Sequence, residues 1–244
     1  MRSVIVTGAA AGLGAGITRK FDAEGFRVGV LDVDRARTEA AASALSNGVA
    51  LVADVTDQAA VEAAFAGFGA IDVLVNNAGI LAVGSLLEQT PAQFSKVLDV
   101  HVLGTFTCAW VAAKTMTERG GAIVNLTSIN AITPGPGSGA YPAAKAAIAK
   151  LTEHMAVEWG PLGIRVNCVA PGFIDGGMSA PFYADPRVRA LRGGAVPSGG
   201  LGRVEDVAEA VWYLASENAR YVNGHQLVVD GGVCHSLLRA LPRT

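Results

Sequence analysis

Short apolar runs alternate with longer amphipathic stretches along most of this chain. The apolar runs are rich in β-branched residues and cover positions 4–6, 28–31, 49–53, 71–75, 122–126, 164–169 and 226–229. Such runs are typical of strands buried on both faces of a parallel sheet. Stretches of helical length and period lie between them, for example at 11–23, 36–45, 58–65 and 204–215. The alternation predicts an α/β fold, a doubly wound parallel sheet with helices on both faces.

The length of 244 residues suits one domain, and no linker or internal repeat interrupts positions 1–244. The longest irregular region, at about 173–202, contains several prolines and glycines. Long loops inside compact domains are often functional. We therefore expect a single domain with a lid at 173–202.

Composition and charge narrow the classes of partner. The chain is 51% hydrophobic, and its 19 basic and 21 acidic residues give a net charge of -2. Without a basic stripe, nucleic acid and anionic membranes are poor candidate partners. Cys108, Cys168 and Cys234 are odd in number and widely spaced, which argues against disulfides and a metal site. No signal peptide or membrane-spanning run is expected, so the predicted location is cytoplasmic.

A glycine-rich turn follows the first apolar run. The sequence Thr-Gly-Ala-Ala-Ala-Gly-Leu-Gly occupies 7–14, directly before a helical pattern. Gly8, Gly12 and Gly14 would let the backbone approach a bulky anion, which the N-terminus of the helix would attract. The spacing differs from the commoner GxGxxG, and tight packing alone is the alternative. The position between strand and helix favours a phosphate-binding turn of the Rossmann type.

Asp32 ends the second apolar run, 18 residues beyond Gly14. A carboxylate there can accept hydrogen bonds from adenosine ribose hydroxyls and would repel a 2′-phosphate. No Arg or Lys occupies positions 9–11 or 33, and Arg35 and Arg37 are interpreted as solvated. The alternative is that Asp32 caps the following helix. The pattern favours NAD over NADP.

Tyr141 and Lys145 stand four positions apart at the start of a helical stretch. Residues at this spacing share one face of a helix. A nearby ammonium favours the phenolate, so we expect Lys145 to lower the pKa of Tyr141. The pair would then act as a general acid/base, although a chance surface pair is the alternative for this pattern alone.

The motifs together resemble the short-chain dehydrogenase/reductase family. They are TGAAAGLG at 7–14, Asp54-Val55, NNAG at 76–79, Ser128, YPAAK at 141–145 and Pro171-Gly172, and they occur in the family's order. The resemblance extends to Asp230 and leaves 234–244 outside. It implies that hydride passes between a nicotinamide and an alcohol or ketone while the protein supplies orientation and proton transfer.

The resemblance also implies roles for single residues. Ser128 would hydrogen-bond the substrate oxygen, Tyr141 would exchange the proton, and Lys145 would hold the nicotinamide ribose as well as assist Tyr141. The cofactor-binding residues implied by the motifs, with Asp32 added, are Gly8, Gly12, Leu13, Gly14, Asp32, Asp54, Val55, Asn76, Ala78, Gly79, Tyr141, Lys145, Pro171, Gly172 and Ile174.

Two positions depart from the family pattern. His101 stands where the family usually has an Asn that helps a proton relay. An imidazole could keep the relay and give an acidic limb in the rate profile, or it could be a packed helix residue. Gly176 and Gly177 stand where a Thr often contacts the cofactor, so one hydrogen bond would be missing.

The substrate pocket should combine residues after Ser128 with the lid. Asn130, Phe173, Met178 and Phe182 are the candidates, and their mostly apolar character predicts a hydrophobic secondary alcohol or ketone. Packing of the lid onto the core is the alternative for each. Arg187, Arg189 and Arg192 could receive the phosphate of an acyl carrier, or form a solvated helix face.

The favoured function is an NAD-dependent oxidoreductase. A 3-oxoacyl thioester reductase shares the motifs, although Asp32 speaks against it because reductive biosynthesis generally uses NADP. A dinucleotide-binding regulator without turnover is the alternative from another class. Helices that are apolar on more than one face, at 100–116 and after Tyr141, are typical of subunit interfaces, and family members are commonly homotetramers.

Overall fold

Seven parallel strands form one sheet in the computed structural model, which describes residues 1–241. All seven strands predicted from the apolar runs are present, with boundaries that differ by at most a few residues. Their bounds are β1 Ser3–Thr7, β2 Arg27–Asp32, β3 Gly48–Val52, β4 Val73–Asn76, β5 Gly121–Leu126, β6 Ile164–Pro171 and β7 Gln226–Val229.

The strand order is β3-β2-β1-β4-β5-β6-β7. The chain runs outward from β1 to β3 and then returns to place β4 on the other side of β1, so Val75 pairs with Val6 on one side and Val124 on the other. The order therefore reverses between β1 and β4. In open α/β sheets the carboxyl ends of the strands at such a reversal form the ligand crevice. The predicted Rossmann-type sheet is confirmed.

Nine α-helices lie among the described residues, and those predicted at 11–23, 36–45, 58–65 and 204–215 are confirmed. Their bounds are α1 Gly12–Ala23, α2 Arg35–Ser43, α3 Gln58–Phe68, α4 Pro91–Leu98, α5 Gly104–Met116, α6 Tyr141–Trp159, α7 Ala180–Tyr183, α8 Pro186–Ala195 and α9 Val204–Ala215. A π-helical turn, Asp99–Leu103, joins α4 to α5.

Both faces of the sheet are buried under helices. On one face, α1 and α9 meet through Phe21, Phe26 and Trp212, whose rings pack edge to face with centroids 5.2 to 5.5 Å apart. On the other face, α3, α5 and α6 cover a second apolar cluster that includes Phe65 and Ile123. Aromatic edge-to-face pairs add about 1 kcal/mol each beyond their buried area. These two layers hold the strand ends, and hence the crevice, in place.

The region 173–202 is more regular than the sequence suggested. It contains α7 and α8 rather than one long irregular loop. Arg189 on α8 forms two hydrogen bonds to Asp175, at 2.7 and 2.8 Å, and a third to the Tyr183 carbonyl oxygen. The segment is therefore fastened to its own beginning, while Ile174 bridges to Gly202 where it returns to the core.

One long apolar helical stretch bears on the expectation that no run spans a membrane. Among residues 1–241, one continuous helical stretch has the length and composition of a membrane span, and it covers Pro91–Met116. However, 56% of its apolar window is buried within the fold, as in the core helix of a globular protein. Its apolar side chains pack against the sheet through residues such as Cys108 and Ala112.

Candidate active site

A cavity of about 1330 Å³ opens at the carboxyl ends of the strands, at the reversal of strand order. It is lined by eighteen of the residues nominated from the sequence, namely Gly8, Gly12, Leu13, Asp32, Asp54, Val55, Ala78, Gly79, Ser128, Asn130, Tyr141, Lys145, Pro171, Gly172, Phe173, Ile174, Met178 and Phe182. Gly14, Asn76 and His101 do not line it. The fold thus brings motifs spread over 170 positions to one place.

The glycine-rich turn fits a diphosphate. Gly8 and Gly12 have φ values of 63° and 57°, in the left-handed region that favours glycine. A Cβ on Gly8 would lie 2.7 Å from the Ala78 Cα atom, so the cradle admits no side chain. Helix α1 begins after Ala11 without a side-chain cap and without an acidic residue in its first turn. Its first N–H groups are therefore available to an anion.

Gly14 contributes to the shape of this turn without lining the cavity, and Asn76, which was expected to line the cofactor site, is buried in the protein instead. A Cβ on Gly14 would collide with the Gly8 carbonyl oxygen. Asn76 is buried at the end of β4 and donates to Asn125 Oδ1 at 2.9 Å. The neighbouring Asn77 lines the cavity instead, and its Nδ2 donates to the carbonyl oxygens of Thr7 and Gly8 at 2.9 Å.

Asp32 lies at the carboxyl end of β2 and faces the cavity. Its Oδ2 accepts a hydrogen bond from the Ala10 N–H at 3.1 Å, and its Oδ1 accepts from the Val33 N–H at 2.8 Å. The alternative role as a helix cap is wrong, because Asp34 caps α2 by accepting from the Arg37 N–H. The carboxylate is thus fixed beside the glycine-rich turn with lone pairs to spare.

Ser128, Tyr141 and Lys145 line the same cavity. Ser128 is placed by Thr127, whose N–H and hydroxyl both bond the Val169 carbonyl oxygen, at 2.8 and 2.9 Å. Tyr141 and Lys145 lie on one face of the first turns of α6, with the Lys145 ammonium 5.5 Å from the centre of the Tyr141 ring. The Lys145 Nζ donates to the Leu126 carbonyl oxygen at 2.7 Å. Two further ammonium protons remain for the cavity.

The expected lowering of the pKa of Tyr141 by Lys145 is wrong. Burial raises the pKa of the Tyr141 phenol, and hydrogen bonding with Ser128 acts in the opposite direction. Burial also lowers the pKa of Lys145 to about 7, so its positive charge is only partly present at neutral pH. The close approach of the two groups was foreseen, but the desolvation of both was not.

His101 lies in the π-helical turn and is fully buried. Its Nε2 is 3.1 Å from the Ile80 nitrogen and 2.8 Å from the Ile80 oxygen, and its ring packs edge to face on Tyr141 at 5.3 Å. The Nδ1 atom has no hydrogen-bond partner among the described residues. Burial, with a contribution from the Lys145 charge, lowers the pKa of His101 to about 3. The expectation that His101 gives the rate profile an acidic limb near neutral pH is therefore corrected, because the imidazole stays neutral in that range.

The predicted substrate wall also lines the cavity, with one qualification. Phe173, Met178 and Phe182 present apolar surface, whereas the Asn130 Oδ1 already accepts from the Gly135 N–H at 2.7 Å. Asn130 therefore also shapes the loop before Tyr141. The nearby Gly177 backbone lies so close to the glycine-rich turn that a Cβ on Gly12 would be 2.6 Å from it.

The sequence reasoning missed several cavity-lining residues. Val233 and Cys234, which follow the last strand, reach the cavity, and burial raises the pKa of the Cys234 thiol to about 11. Lys96 on α4 also lines it, and so does Arg192 on α8, which the sequence had offered either as a phosphate ligand or as a solvated residue. Single residues outside the strands carry no periodic signal in the sequence that could have identified them as part of the cavity wall. Within residues 1–241, no cluster of three or more His, Cys, Asp or Glu side chains is arranged to hold a metal ion.

Comparisons with known proteins agree with this geometry. A family model described as enoyl-(acyl carrier protein) reductase matches residues 8–234. The chain is 38% identical to 3β-hydroxysteroid dehydrogenase 1 of Eggerthella lenta, over 95% of this chain and 93% of that protein. It is 40% identical to cis-4-hydroxycyclohexanecarboxylate dehydrogenase of Sinomonas cyclohexanicum, over 95% and 96%.

Solved structures give the same picture. A 3-oxoacyl-(acyl-carrier protein) reductase of Brucella melitensis with bound NAD is 33% identical with a TM-score of 0.88, and the match covers 96% of this chain and 91% of that one. A gluconate 5-dehydrogenase of Burkholderia cenocepacia in complex with NADP and tartrate is 31% identical with a TM-score of 0.89, over 95% and 94%. Similar proteins therefore use either dinucleotide.

Proposed function

Because this chain belongs to the short-chain dehydrogenase/reductase family, we propose that it is an NAD-dependent oxidoreductase acting on a hydrophobic secondary alcohol or ketone. Membership makes it an oxidoreductase that binds a nicotinamide dinucleotide and acts on a small molecule. The single observation that supports the reaction most is the convergence of Ser128, Tyr141 and Lys145 in one cavity beside the glycine-rich turn.

In this proposal each residue of the site has a separate role in binding or proton transfer. The nicotinamide, when bound, supplies or accepts the hydride. The Ser128 hydroxyl hydrogen-bonds the oxygen of the substrate, and the Tyr141 phenol gives or takes the proton at that oxygen. Lys145 holds the nicotinamide ribose with the protons that Leu126 leaves free, and its ammonium favours the phenolate when it is charged. Gly8, Gly12 and the first turn of α1 hold the pyrophosphate.

The preference for NAD is supported by Asp32. Its carboxylate is fixed beside the glycine-rich turn, where it would accept hydrogen bonds from the ribose hydroxyls of a bound dinucleotide, and the exposed Val33 beside it carries no positive charge. Arg35 and Arg37 are exposed and lie within ion-pair distance of Glu39 and Asp34. A 2′-phosphate would therefore meet a fixed negative charge without a compensating cation.

We expect Asp32→Ser to narrow the preference for NAD over NADP by about 10- to 100-fold in kcat/KM, because the substitution removes the repulsion of the 2′-phosphate. The ratio is measured from nicotinamide absorbance with each dinucleotide. Asp34→Ser is the matched control, since Asp34 caps α2 two residues away and does not line the cavity. A wild-type enzyme that prefers NADP would contradict the assignment of the cofactor.

The apolar wall of Phe173, Met178 and Phe182 supports the hydrophobic substrate class. Two relatives are named as dehydrogenases of a hydroxysteroid and of a hydroxycyclohexanecarboxylate, which fits a ring-borne alcohol. The test is nicotinamide absorbance during incubation with NAD or NADP and a panel of alicyclic and aryl secondary alcohols. Turnover of none of them, together with intact NADH binding, would favour a regulator without turnover.

A 3-oxoacyl thioester reductase is the second candidate. The Brucella melitensis reductase and the description of the matching family support it, while Asp32 weighs against the NADP that such reductions generally use. If this candidate is correct, turnover of an acetoacetyl thioester with NADPH should be faster than turnover of any alcohol of the panel with NAD.

His101 we propose to be a positioning residue rather than a titrating one. We expect His101→Asn to keep the pH dependence of kcat unchanged between about pH 5 and 9, because the imidazole is neutral throughout that range. The Nε2 atom of His101 pairs with either the N–H or the oxygen of Ile80, depending on the tautomer, and an amide offers both a donor and an acceptor. His101→Leu removes this hydrogen bond and should cost roughly 1–3 kcal/mol of stability. A shifted pH dependence of kcat in His101→Asn would instead support a role of His101 in a proton relay.

A homotetramer in the cytoplasm completes the proposal. Leu103, the last residue of the π-helical turn, and Phe106 on α5 are large apolar side chains that are 50% and 41% exposed, although most of α5 is buried. Covering by a second subunit would remove this surface from water. The lid at 173–202 is likewise proposed to close over the substrate. Light scattering of the purified protein tests the assembly.

A further inference from the structure

Arg192, on helix α8, lines the same cavity as the proposed catalytic residues. Its guanidinium stands over three aromatic rings, 5.2 Å from the centre of Phe173, 5.9 Å from Phe182 and 5.7 Å from Tyr183. Stacking of this kind uses the flat faces of a guanidinium and fixes its orientation. The N–H groups on its edge need other partners.

Among residues 1–241, no carboxylate lies within ion-pair distance of Arg192. Arg189, one turn earlier on the same helix, differs in that respect because both of its terminal nitrogens bond Asp175. The half-buried Arg192 side chain therefore has charged donors directed at a cavity rather than at a protein partner. Arg–oxyanion pairs are among the strong hydrogen bonds because both partners are charged.

The other charges of the cavity leave this end free for an anion. The two acidic residues that line it, Asp32 and Asp54, follow β2 and β3, toward the edge of the sheet away from β6 and the lid. Both are engaged, Asp32 with the Ala10 and Val33 N–H groups and Asp54 with Thr56. An anion at Arg192 would thus meet an apolar wall and one positive charge.

We infer that Arg192 recognises an oxyanion on the substrate, so that the substrate is an apolar alcohol or ketone bearing a carboxylate or a sulfonate. The inference rests on the proposed function and narrows its substrate class. Phe173 and Phe182 would then serve twice, as the wall against the apolar body and as the support that directs Arg192.

The first test is binding, which does not depend on turnover. Cyclohexanecarboxylate, cyclohexanesulfonate and methyl cyclohexanecarboxylate are titrated calorimetrically into the protein with and without NADH. We expect at least one anion to bind about 10- to 100-fold more tightly than the neutral ester, and Arg192→Gln to remove that difference. The tighter of the two anions distinguishes a carboxylate from a sulfonate site.

The matched control is Arg187→Gln, on the same helix with an exposed side chain outside the cavity, and it should leave the preference for the anion unchanged. Arg192→Lys keeps the charge without the planar fork and should retain part of the preference, which guards against misfolding of Arg192→Gln. An ester that binds as tightly as both anions, or a preference that persists in Arg192→Gln, would overturn the inference.

Kinetics then separate this inference from the proposed function. The ratio of kcat/KM for a hydroxycyclohexanecarboxylate to that for its methyl ester should fall about 10- to 100-fold in Arg192→Gln. An equal ratio in wild type and variant, with the ester still oxidised, would overturn the role of Arg192 alone. Absence of any alcohol oxidation would overturn the proposed function, while the titrations would still report on Arg192.

Discussion

Tyr141→Phe is expected to lower kcat by about 10²- to 10⁴-fold, the usual contribution of a positioned general acid or base. The substitution removes one oxygen atom and keeps the ring that packs edge to face on His101. Binding of NADH, followed by its fluorescence, should therefore change only a few-fold. Nicotinamide absorbance with the best alcohol of the panel measures the loss of turnover.

The control for this variant is Tyr221→Phe, because the Tyr221 side chain is 99% exposed and lies outside the cavity. It should leave kcat unchanged. If Tyr141→Phe retained more than about a tenth of wild-type kcat, proton transfer would have to use another group, since a phenyl ring has no exchangeable proton. Ser128 would then be the nearest candidate.

The sheet was readable from the sequence because its strands are buried on both faces. In a strand such as β1, residues 4–6 are all apolar and buried, so the signal is continuous and needs no knowledge of neighbouring strands. Helix α9 was placed at its observed bounds for a related reason, since one face packs on α1 while the other meets solvent. Local pattern and tertiary burial coincide in these elements.

The π-helical turn at Asp99–Leu103 had no such signal. Residues 100–116 are apolar enough to suggest one helix, and the extra residue in the turn changes only which carbonyl accepts from the Gly104 N–H, namely that of Asp99. π-bulges are frequent at functional sites. Here the bulge carries His101, so the sequence identified the residue without the geometry that gives it Ile80 as a partner.

Asn76 was nominated to line the cavity and Asn77 was given no role, for a similar reason. Both follow an apolar run, and the family motif contains both. Which side chain faces the crevice depends on where β4 ends, because successive residues of a strand point to opposite faces. Asn76 is the last residue of β4 and points into the protein, where it pairs with Asn125. A shift of the alternation by one position would exchange which of the two side chains faces the crevice.

The chemistry of Tyr141 and Lys145 shows where spacing stops being informative. Helical spacing of four positions correctly brought the two groups to one face. The direction of each pKa change depends on desolvation by the tertiary structure, which helical spacing does not report. Burial turned the expected lowering of the Tyr141 pKa into a rise. When charged, the Lys145 ammonium acts against this rise, and a cationic nicotinamide would act in the same direction.

Lys145→Met is expected to abolish turnover and yet to stabilise the protein at neutral and acidic pH. Burial lowers the pKa of Lys145 from 10.5 to about 7. Below about pH 7 the folded protein carries a desolvated ammonium, and between about 7 and 10.5 the unfolded chain binds one proton more than the folded protein. The free energy of unfolding therefore rises with pH across that window, and the cost of the buried charge disappears by its upper end.

The size of the effect follows from the same pKa difference. A shift of this extent corresponds to roughly 3–5 kcal/mol below pH 7. The methionine leaves the Leu126 carbonyl oxygen without its donor, which costs about 1–3 kcal/mol at every pH. Lys145→Met should thus be more stable than the wild type by roughly 1–3 kcal/mol at about pH 6 and less stable near pH 10. Urea unfolding without dinucleotide, at several pH values, measures the crossover.

Lys150→Met is the matched control, because Lys150 lies on the same helix with a side chain that is 78% exposed. Its stability relative to wild type should show no crossover, and its kcat should stay at the wild-type value. Lys145→Met should meanwhile lose at least about 10²-fold in kcat, since neither the ribose contact nor the charge near Tyr141 remains. A stability difference that is constant from pH 6 to 10 would mean that Lys145 keeps an ordinary pKa in the folded protein. The ammonium would then be fully charged beside Tyr141, and the phenol would not need the cofactor to favour its ionised form.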